Sequence, residues 1–339
     1  MNKSKKVIVI AEAGVNHNGS IDMAIELIKA ASNAGADIVK FQTFNTELFV
    51  TESALKTKYQ RQNTLLTGTH NQKQMLKDLE LSLEDHKILI QKCRELNIEF
   101  LSTGFEINSL CLLDKLRIKR FKIPSGEITN LPYLRKIASF GKPLIMSTGM
   151  ATMEEVENAF LVLKECGVPN ENITILQCTS AYPTPIYDVN LRVLETFSKK
   201  FKVNIGISDH TIGISVPIAS VALGANIIEK HLTLDKNLYG PDHSSSLEPK
   251  EFENMVKGIR DIELALGDGV KSPTKSESIN KEFVRKSIVA KKYIKKGQTF
   301  NVDNLDCKRP GNGLSPFYWD KLIGKTSKRN YAIDEMIEE

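Results

Sequence analysis

Cysteine is scarce in this chain. Cys93, Cys111, Cys166, Cys178 and Cys307 are five in 339 residues, an odd number with no Cys-Xaa-Xaa-Cys spacing. Such usage argues against a disulfide framework or a cysteine zinc centre and fits reduced thiols in a cytoplasmic enzyme. Long apolar runs are missing as well: none approaches the ~20 residues of a membrane-spanning helix. The basic start, Met1–Lys6, leads into a short apolar stretch that meets Glu12. A signal peptide needs a longer apolar core and a small-residue cleavage site. Gly-Xaa-Gly occurs only at Gly267–Gly269 and Gly311–Gly313, neither following a strand and opening a helix, so a dinucleotide fingerprint is absent. No nucleophile elbow with a Ser-His-Asp set is present either.

What is there forms a core. Apolar residues make up 41% and charged residues 26%, enough to bury a large interior and too apolar for disorder. The length exceeds one small domain and suits a barrel with an appendage. The net charge is +5, unevenly placed. Residues 1–267 hold 31 side chains of each sign, so residues 268–339, with 15 basic and 10 acidic, carry the whole excess. A basic tail can serve nucleic acid, a membrane surface or an anionic small molecule. Among its aromatics, Phe283, Tyr293, Phe317, Tyr318 and Trp319 stand near loops rather than along a basic stripe. Neither a nucleic-acid nor a membrane partner is expected.

Eight short runs rich in Val, Ile, Leu and Phe alternate with amphipathic stretches such as Ile21–Ala34, Met153–Cys166 and Pro249–Leu266. The runs are Val7–Glu12, Ile38–Gln42, Glu99–Thr103, Arg120–Ser125, Pro143–Ser147, Ile173–Thr179, Val203–His210 and Asn226–Leu232. They are continuous rather than alternating, as strands buried on both faces should be. Eight strand–helix repeats predict an α/β fold, a (β/α)8 TIM barrel over residues 1–267; a doubly wound sheet is the alternative. One connection is long: Thr43–Leu83 carries a Thr-Gly-Thr-His-Asn-Gln stretch and in a barrel emerges at the catalytic face. Residues 268–281, rich in Gly, Ser, Thr and Lys, read as a linker. Beyond them, strands at Ser287–Ala290 and Leu305–Lys308 predict a small, mostly β domain over 282–339.

The strand ends carry the chemistry. In a barrel, polar residues at carboxyl-terminal strand ends converge on one mouth. Here they are Glu12; Lys40 and Gln42; Ser102 and Thr103; Lys122, Ser125 and Glu127; and Ser147 and Thr148. Then come Thr179, Ser180 and Tyr182; Asp209 and His210; and Glu229, Lys230 and His231. His210 and His231, on adjacent strands, can ligate one divalent metal. Lys40 and Lys122 with Thr103, Ser125 and Ser147 suit a phosphate or carboxylate: ammonium groups supply charge and hydroxyls directed hydrogen bonds. Glu12 and Glu127 flank that cluster for proton transfer or for holding sugar hydroxyls. Cys178 precedes the strand end and is expected to point into the barrel wall.

The motifs Ala11-Glu12-Ala13-Gly14-Val15-Asn16-His17-Asn18-Gly19, Lys122-Ile123-Pro124-Ser125-Gly126-Glu127, Tyr182-Pro183-Thr184-Pro185, Ser208-Asp209-His210-Thr211 and Gly240-Pro241-Asp242-His243 run in order along the chain. Together they resemble the sialic acid synthase family, and the tail around Lys308-Arg309-Pro310-Gly311-Asn312-Gly313 resembles that family's antifreeze-like (SAF, β-clip) domain. The resemblance implies an enzyme in which phosphoenolpyruvate condenses with the open-chain aldehyde of an N-acyl amino sugar, releasing a nonulosonate and phosphate. N-acetylneuraminate synthesis from N-acetylmannosamine is the main expectation; legionaminate or pseudaminate synthesis is the alternative. The resemblance further implies a divalent Mn2+ or Mg2+ at His210 and His231, polarising the aldehyde oxygen. Lys40, Thr103, Lys122, Ser125 and Ser147 would hold phosphoenolpyruvate; Glu12, Gln42, Tyr182, Asp242 and Asn71 would hold the sugar, and Glu127 would move protons. Ser180 departs from members that carry Asn there and is assigned to the phosphate side through water. Arg309 and Phe283 would reach over the partner's mouth in a domain-swapped homodimer.

Three other readings are open. A Schiff-base aldolase would use Lys122 or Lys230 as nucleophile. A 3-deoxy-octulosonate or heptulosonate phosphate synthase would take phosphorylated aldoses. A carbohydrate- or ice-binding protein built around the tail would not need eight polar strand ends.

Overall fold

A computed structural model of the chain describes residues 6–63 and 71–338. Met1–Lys5 of the basic start and Thr67–His70 of the Thr-Gly-Thr-His stretch lie outside the described residues. Eight strands form one parallel sheet: β1 Ile8–Gly14, β2 Ile38–Thr43, β3 Glu99–Gly104, β4 Phe121–Ile123, β5 Leu144–Ser147, β6 Ile173–Cys178, β7 Asn204–Asp209 and β8 Ile227–His231. Their order is β3-β2-β1-β8-β7-β6-β5-β4, so the first and last strands of the repeat pair in register, Glu12 beside His231. β3 and β4 lie side by side across the remaining gap. Arg120 clamps that seam below, its Nε and Nη2 donating to the two oxygens of Glu99 at 2.7 and 3.1 Å. Above it, the buried Tyr133 hydroxyl donates to the Gly104 carbonyl at 2.6 Å. The arrangement is the eight-stranded TIM barrel that the sequence predicts.

The strands form where expected because they are buried on both faces, as in the wholly buried β5 and β8. β4 is shorter than its run. Pro124 brings no N–H to the ladder, and Ser125–Glu127 turn into a 3-10 helix instead of extending the strand. The helices between strands are amphipathic. Met153–Glu165, for example, starts from a Thr152/Glu155 capping box and buries Val156, Ala159 and Leu163. The described residues of the long connection after β2 include short helices at Thr46–Phe49, Lys58–Asn63 and Gln72–Lys77. Its Phe44, Met75, Leu76 and Leu79 bury a small core of their own with Val15, against which Phe49, Val50 and Phe105 pack.

The chain divides into two compact units between Asp268 and Gly269. The stretch expected as a linker, 268–281, differs from that reading: it contains most of a helix, Lys275–Val284. The helix is nucleated by a Thr274/Glu277 capping box, a local signal that the Ser- and Thr-rich composition conceals. In the second unit β9, Ser287–Ala290, pairs antiparallel with β10, Leu305–Lys308, the bounds the sequence predicts. A small core of Ile288, Ala290, Ile294, Phe300, Leu305, Leu322, Tyr331 and Ile337 holds the unit together. Among the described residues no helix is long and apolar enough to cross a membrane.

Candidate active site

Side chains alternate along a strand, so on β8 Glu229 and His231 turn into the barrel mouth while Lys230 between them turns out. Glu229 is the hub of a buried ionic cluster. Its Oε1 accepts from Lys122 Nζ at 3.0 Å and from Ser208 Oγ at 2.9 Å, and its Oε2 lies 3.7 Å from Lys40 Nζ. Lys40 pairs with Glu12 Oε2 at 2.7 Å and donates to Thr103 Oγ1 at 3.0 Å, while Gln42 Nε2 donates to Glu12 Oε1 at 3.2 Å.

Burial works to neutralise every member of this cluster, and the neighbours decide who resists. Burial is outweighed at Glu229, where Lys122 and Lys40 hold the carboxyl at about 2. Glu12 goes the other way: burial lifts its pKa, with the Glu229 charge adding to the lift against Lys40. Burial also works against Lys40, but Glu12 and Glu229 raise it above its ordinary value. At Lys122 burial prevails and lowers the pKa. A Glu12 that takes up a proton leaves two ammonium groups facing one firmly ionised carboxylate, an electropositive floor for an anion.

Beside that floor two hydroxyls gather around Gly149. Its N–H donates to Ser125 Oγ at 2.9 Å, and a Cβ built there would lie 2.2 Å from Ser180 Oγ and 2.9 Å from Ser125 Oγ. Only glycine lets the two hydroxyls converge. Ser147 Oγ is buried with no hydrogen-bond partner among the described residues. A buried hydroxyl left unbonded is costly and marks where a ligand oxygen belongs.

The imidazole rings of His210 and His231 stand 5.4 Å apart, and Tyr182 lies 4.1 Å from the His210 ring. His210 Nδ1 donates to the Thr179 carbonyl at 2.8 Å, so a neutral ring has its lone pair on Nε2. Burial drives the His231 pKa well below the ordinary value, helped by His210, and its Nδ1 has no hydrogen-bond partner among the described residues. Asp242 Oδ2 lies 3.9 Å from that nitrogen, and burial, with Glu12 nearby, lifts the Asp242 carboxyl to about 7. Among the described residues no group of three or more His, Cys, Asp or Glu side chains is placed to hold an ion. At His210 burial is outweighed by Cys178 and the Thr179 carbonyl, which raise its pKa, so the two rings become a pair of nitrogen donors once His210 gives up its proton. Such a pair fits a divalent ion whose other positions belong to water or substrate.

All twelve of these strand-end and loop residues proposed from the sequence (Glu12, Lys40, Gln42, Thr103, Lys122, Ser125, Ser147, Ser180, Tyr182, His210, His231 and Asp242) line one cavity of about 380 Å³. Two others do not. Glu127 faces a separate hollow with Glu106, Asn130 and Tyr133 and accepts from Asn130 Nδ2 at 2.6 Å. It directly follows Pro124, Ser125 and Gly126, which line the cavity, without being among the lining residues itself. Asn71 caps the helix Gln72–Lys77, its Oδ1 accepting from Gln74 N at 2.8 Å, and it is the next residue, Gln72, that lines the cavity. Phe283 and Arg309 belong to the second unit, where Phe283 is exposed and Arg309 Nε donates to the Val284 carbonyl at 3.0 Å. Cys178 corrects another expectation: it lines the cavity, and His210 lowers its pKa against burial. Glu229 and Ser208 had no assigned role in the sequence reading. The period-2 alternation that places Glu229 beside His231 was the available signal.

Family comparison gives this geometry its context. The model of the NeuB family matches residues 27–271, and that of the SAF domain matches residues 285–339. The chain belongs to the NeuB family. It is accordingly an enzyme, a phosphoenolpyruvate-dependent nonulosonic acid synthase. An N,N'-diacetyllegionaminic acid synthase of Campylobacter jejuni is 50% identical over 335 residues, covering 99% of this chain and all of that one. One of the same description from Legionella pneumophila is 44% identical, covering 97% of this chain and 92% of that one. The crystal structure of an N-acetylneuraminic acid synthetase from Leptospira borgpetersenii superposes with a TM-score of 0.72 at 33% identity, over 81% of this chain and 90% of that one. For this NeuB-family chain, Lys230 is an unsuitable Schiff-base nucleophile: it is fully buried outside the cavity lining and held by Asp209.

Proposed function

We propose that this chain condenses phosphoenolpyruvate with 2,4-diacetamido-2,4,6-trideoxymannose to give N,N'-diacetyllegionaminate and phosphate. The observation that carries the choice of sugar is the 50% identity, end to end, with a legionaminic acid synthase. It favours this sugar over the N-acetylmannosamine of the main sequence expectation. In this reading C3 of phosphoenolpyruvate bonds to the aldehyde carbon, water adds at C2, and the C2–O bond breaks to release phosphate.

Lys40 and Lys122 bind the phosphate and carboxylate, with Ser125, Ser147 and Thr103 directing hydrogen bonds to their oxygens and Ser180 contributing on the same side. Glu12, Gln42 and Tyr182 orient the sugar. Asp242, in the cavity lining with its carboxyl lifted to about 7, is suited to hold or pass a proton at the sugar hydroxyls, and Glu127 on the turn after Gly126 is the other proton-moving group. His210 and His231 would hold a divalent ion, Mn2+ or Mg2+, which supplies Lewis-acid polarisation of an oxygen when bound. Arg309 and Phe283 would come over the mouth from the tail of a second copy, making the working unit a domain-swapped homodimer.

Phosphate release assayed with both sugars tests the reading. The diacetamido sugar is expected to give at least about a ten-fold higher kcat/KM, the discrimination a few apolar and hydrogen-bonding contacts supply. A preference for N-acetylmannosamine would overturn it.

A further inference from the structure

The cavity has two chemically different sides. Every ionisable group that lines it, from Glu12 to Asp242, comes from the barrel strands or the loops after β6, β7 and β8. The excursion between β2 and β3 contributes Phe49, Met75, Leu76 and Leu79, with Thr57, Gln60 and Gln72 as its polar members. Among the described residues this part of the lining has no ionisable side chain. Lys73, next to Gln72, is tied instead to Glu47 at 2.7 Å and to Glu52. Met75, Leu76 and Leu79 belong to the small core shared with Val15 and Phe44, so their positions are set by packing.

We propose that this excursion is the specificity-determining wall of the site. Phe49, Met75 and Leu76 seat an uncharged, deoxygenated sugar terminus, and the Gln72 carboxamide serves an acyl amide beside it. The proposal rests on the diacetamido-trideoxy sugar reading above. The Lys40–Lys122 floor takes the phosphoenolpyruvate end, and the histidine pair marks the reacting carbon. The far end of an open-chain sugar then meets the uncharged side. A methyl group gains by leaving water against thioether and aromatic carbons. A hydroxymethyl group against those carbons loses a hydrogen bond to water, and among the described residues of this part of the lining a phosphate dianion finds no cation to pair with. A carboxamide offers both a donor and an acceptor, which is what an N-acetyl group needs.

The test is steady-state phosphate release by the full chain with three acceptors: 2,4-diacetamido-2,4,6-trideoxymannose, N-acetylmannosamine and its 6-phosphate. The wild type is expected to prefer the first over the second by about ten- to a hundred-fold, the range an apolar pocket achieves against an added hydroxyl, and to show no turnover of the third. Met75→Gln should narrow the first ratio about ten-fold, with KM for phosphoenolpyruvate unchanged. Half-buried Gln72 permits a gentler variant: Gln72→Leu should lower kcat/KM for the diacetamido sugar more than for N-acetylmannosamine. A wild type that prefers N-acetylmannosamine or its phosphate removes the proposed function and this wall together. A wild type that prefers the diacetamido sugar, with both variants well folded and their ratios unchanged, removes the wall and leaves the function standing. A shift in one variant alone retains that residue's part and removes the other's.

Discussion

Adjacent residues of β8 enter two buried ionic networks of opposite character. Lys230, facing outward, is fully buried; its ammonium donates to Asp209 Oδ2 at 2.5 Å and to the Thr211 carbonyl, while Asp209 accepts from the Thr211 N–H and hydroxyl at 3.1 and 2.9 Å. That network is saturated by its own members. Glu229, facing inward, has one oxygen without a hydrogen bond, and the same holds for Ser147 Oγ and His231 Nδ1 among the described residues. Burial is equal, but satisfaction differs. A saturated network holds backbone in place, here the segments bearing both histidines; an unsaturated one stores polar capacity that a ligand completes.

The two networks should therefore break differently. Lys122→Met should lower kcat/KM for phosphoenolpyruvate by about a thousand-fold, ~4 kcal/mol of transition-state stabilisation, with a smaller loss of stability than Lys230→Met, because Glu229 keeps Ser208 and Lys40 beside it. Loss of stability instead of activity would put Lys122 in the scaffold. Lys230→Met should do the reverse first: an unpaired buried Asp209 costs about 3 kcal/mol of stability, read by denaturant unfolding, and activity falls because His210 and His231 lose their footing. If the Lys230 variant unfolds like the wild type, the saturated network is no scaffold.

The smallest effect concerns two further histidines outside the cavity. Burial lowers His17 and His243 to about 4. Asn18 Nδ2 donates to the Tyr239 carbonyl at 2.7 Å, which leaves its Oδ1 to accept from His243 Nε2 at 3.1 Å, so His243 Nδ1 is bare and meets the Thr233 hydroxyl at 2.6 Å. Their folded-state pKa values lie below the unfolded 6.5, so the unfolded chain takes up protons first as pH falls. Stability should be undiminished above about pH 6.5 and decline as pH drops from there towards 4. His243→Asn should flatten that slope in unfolding midpoints taken across the window; an unchanged slope would assign the acid sensitivity elsewhere.

The barrel was legible because its signal is local. Strands buried on both faces read as apolar runs, helices as amphipathic ones, and a cap such as Thr152/Glu155 needs only four residues. The site was legible as far as strand ends define it, which is why the lysines, serines and histidines named from the sequence line one cavity. Glu127 and Asn71 stand one residue beyond and one residue before lining residues Gly126 and Gln72, a difference that a 3-10 turn and a helix cap make over distances shorter than a motif specifies. The helix Lys275–Val284 went unread for a related reason: none of its side chains is buried, so no apolar periodicity announced it.

By itself, the order of residues determined the eightfold repeat, the tail with its surplus of positive charge and the types of group delivered to the mouth. These depend on backbone periodicity and on what each side chain can donate or accept. Tertiary structure alone decided the division of labour within that mouth. Which carboxyl holds its charge, which hydroxyl is left unbonded and which wall is free of ions all follow from distances between residues far apart in the chain. Glu229 is at about 2 and Asp242 at about 7 because burial and neighbouring charge act through space.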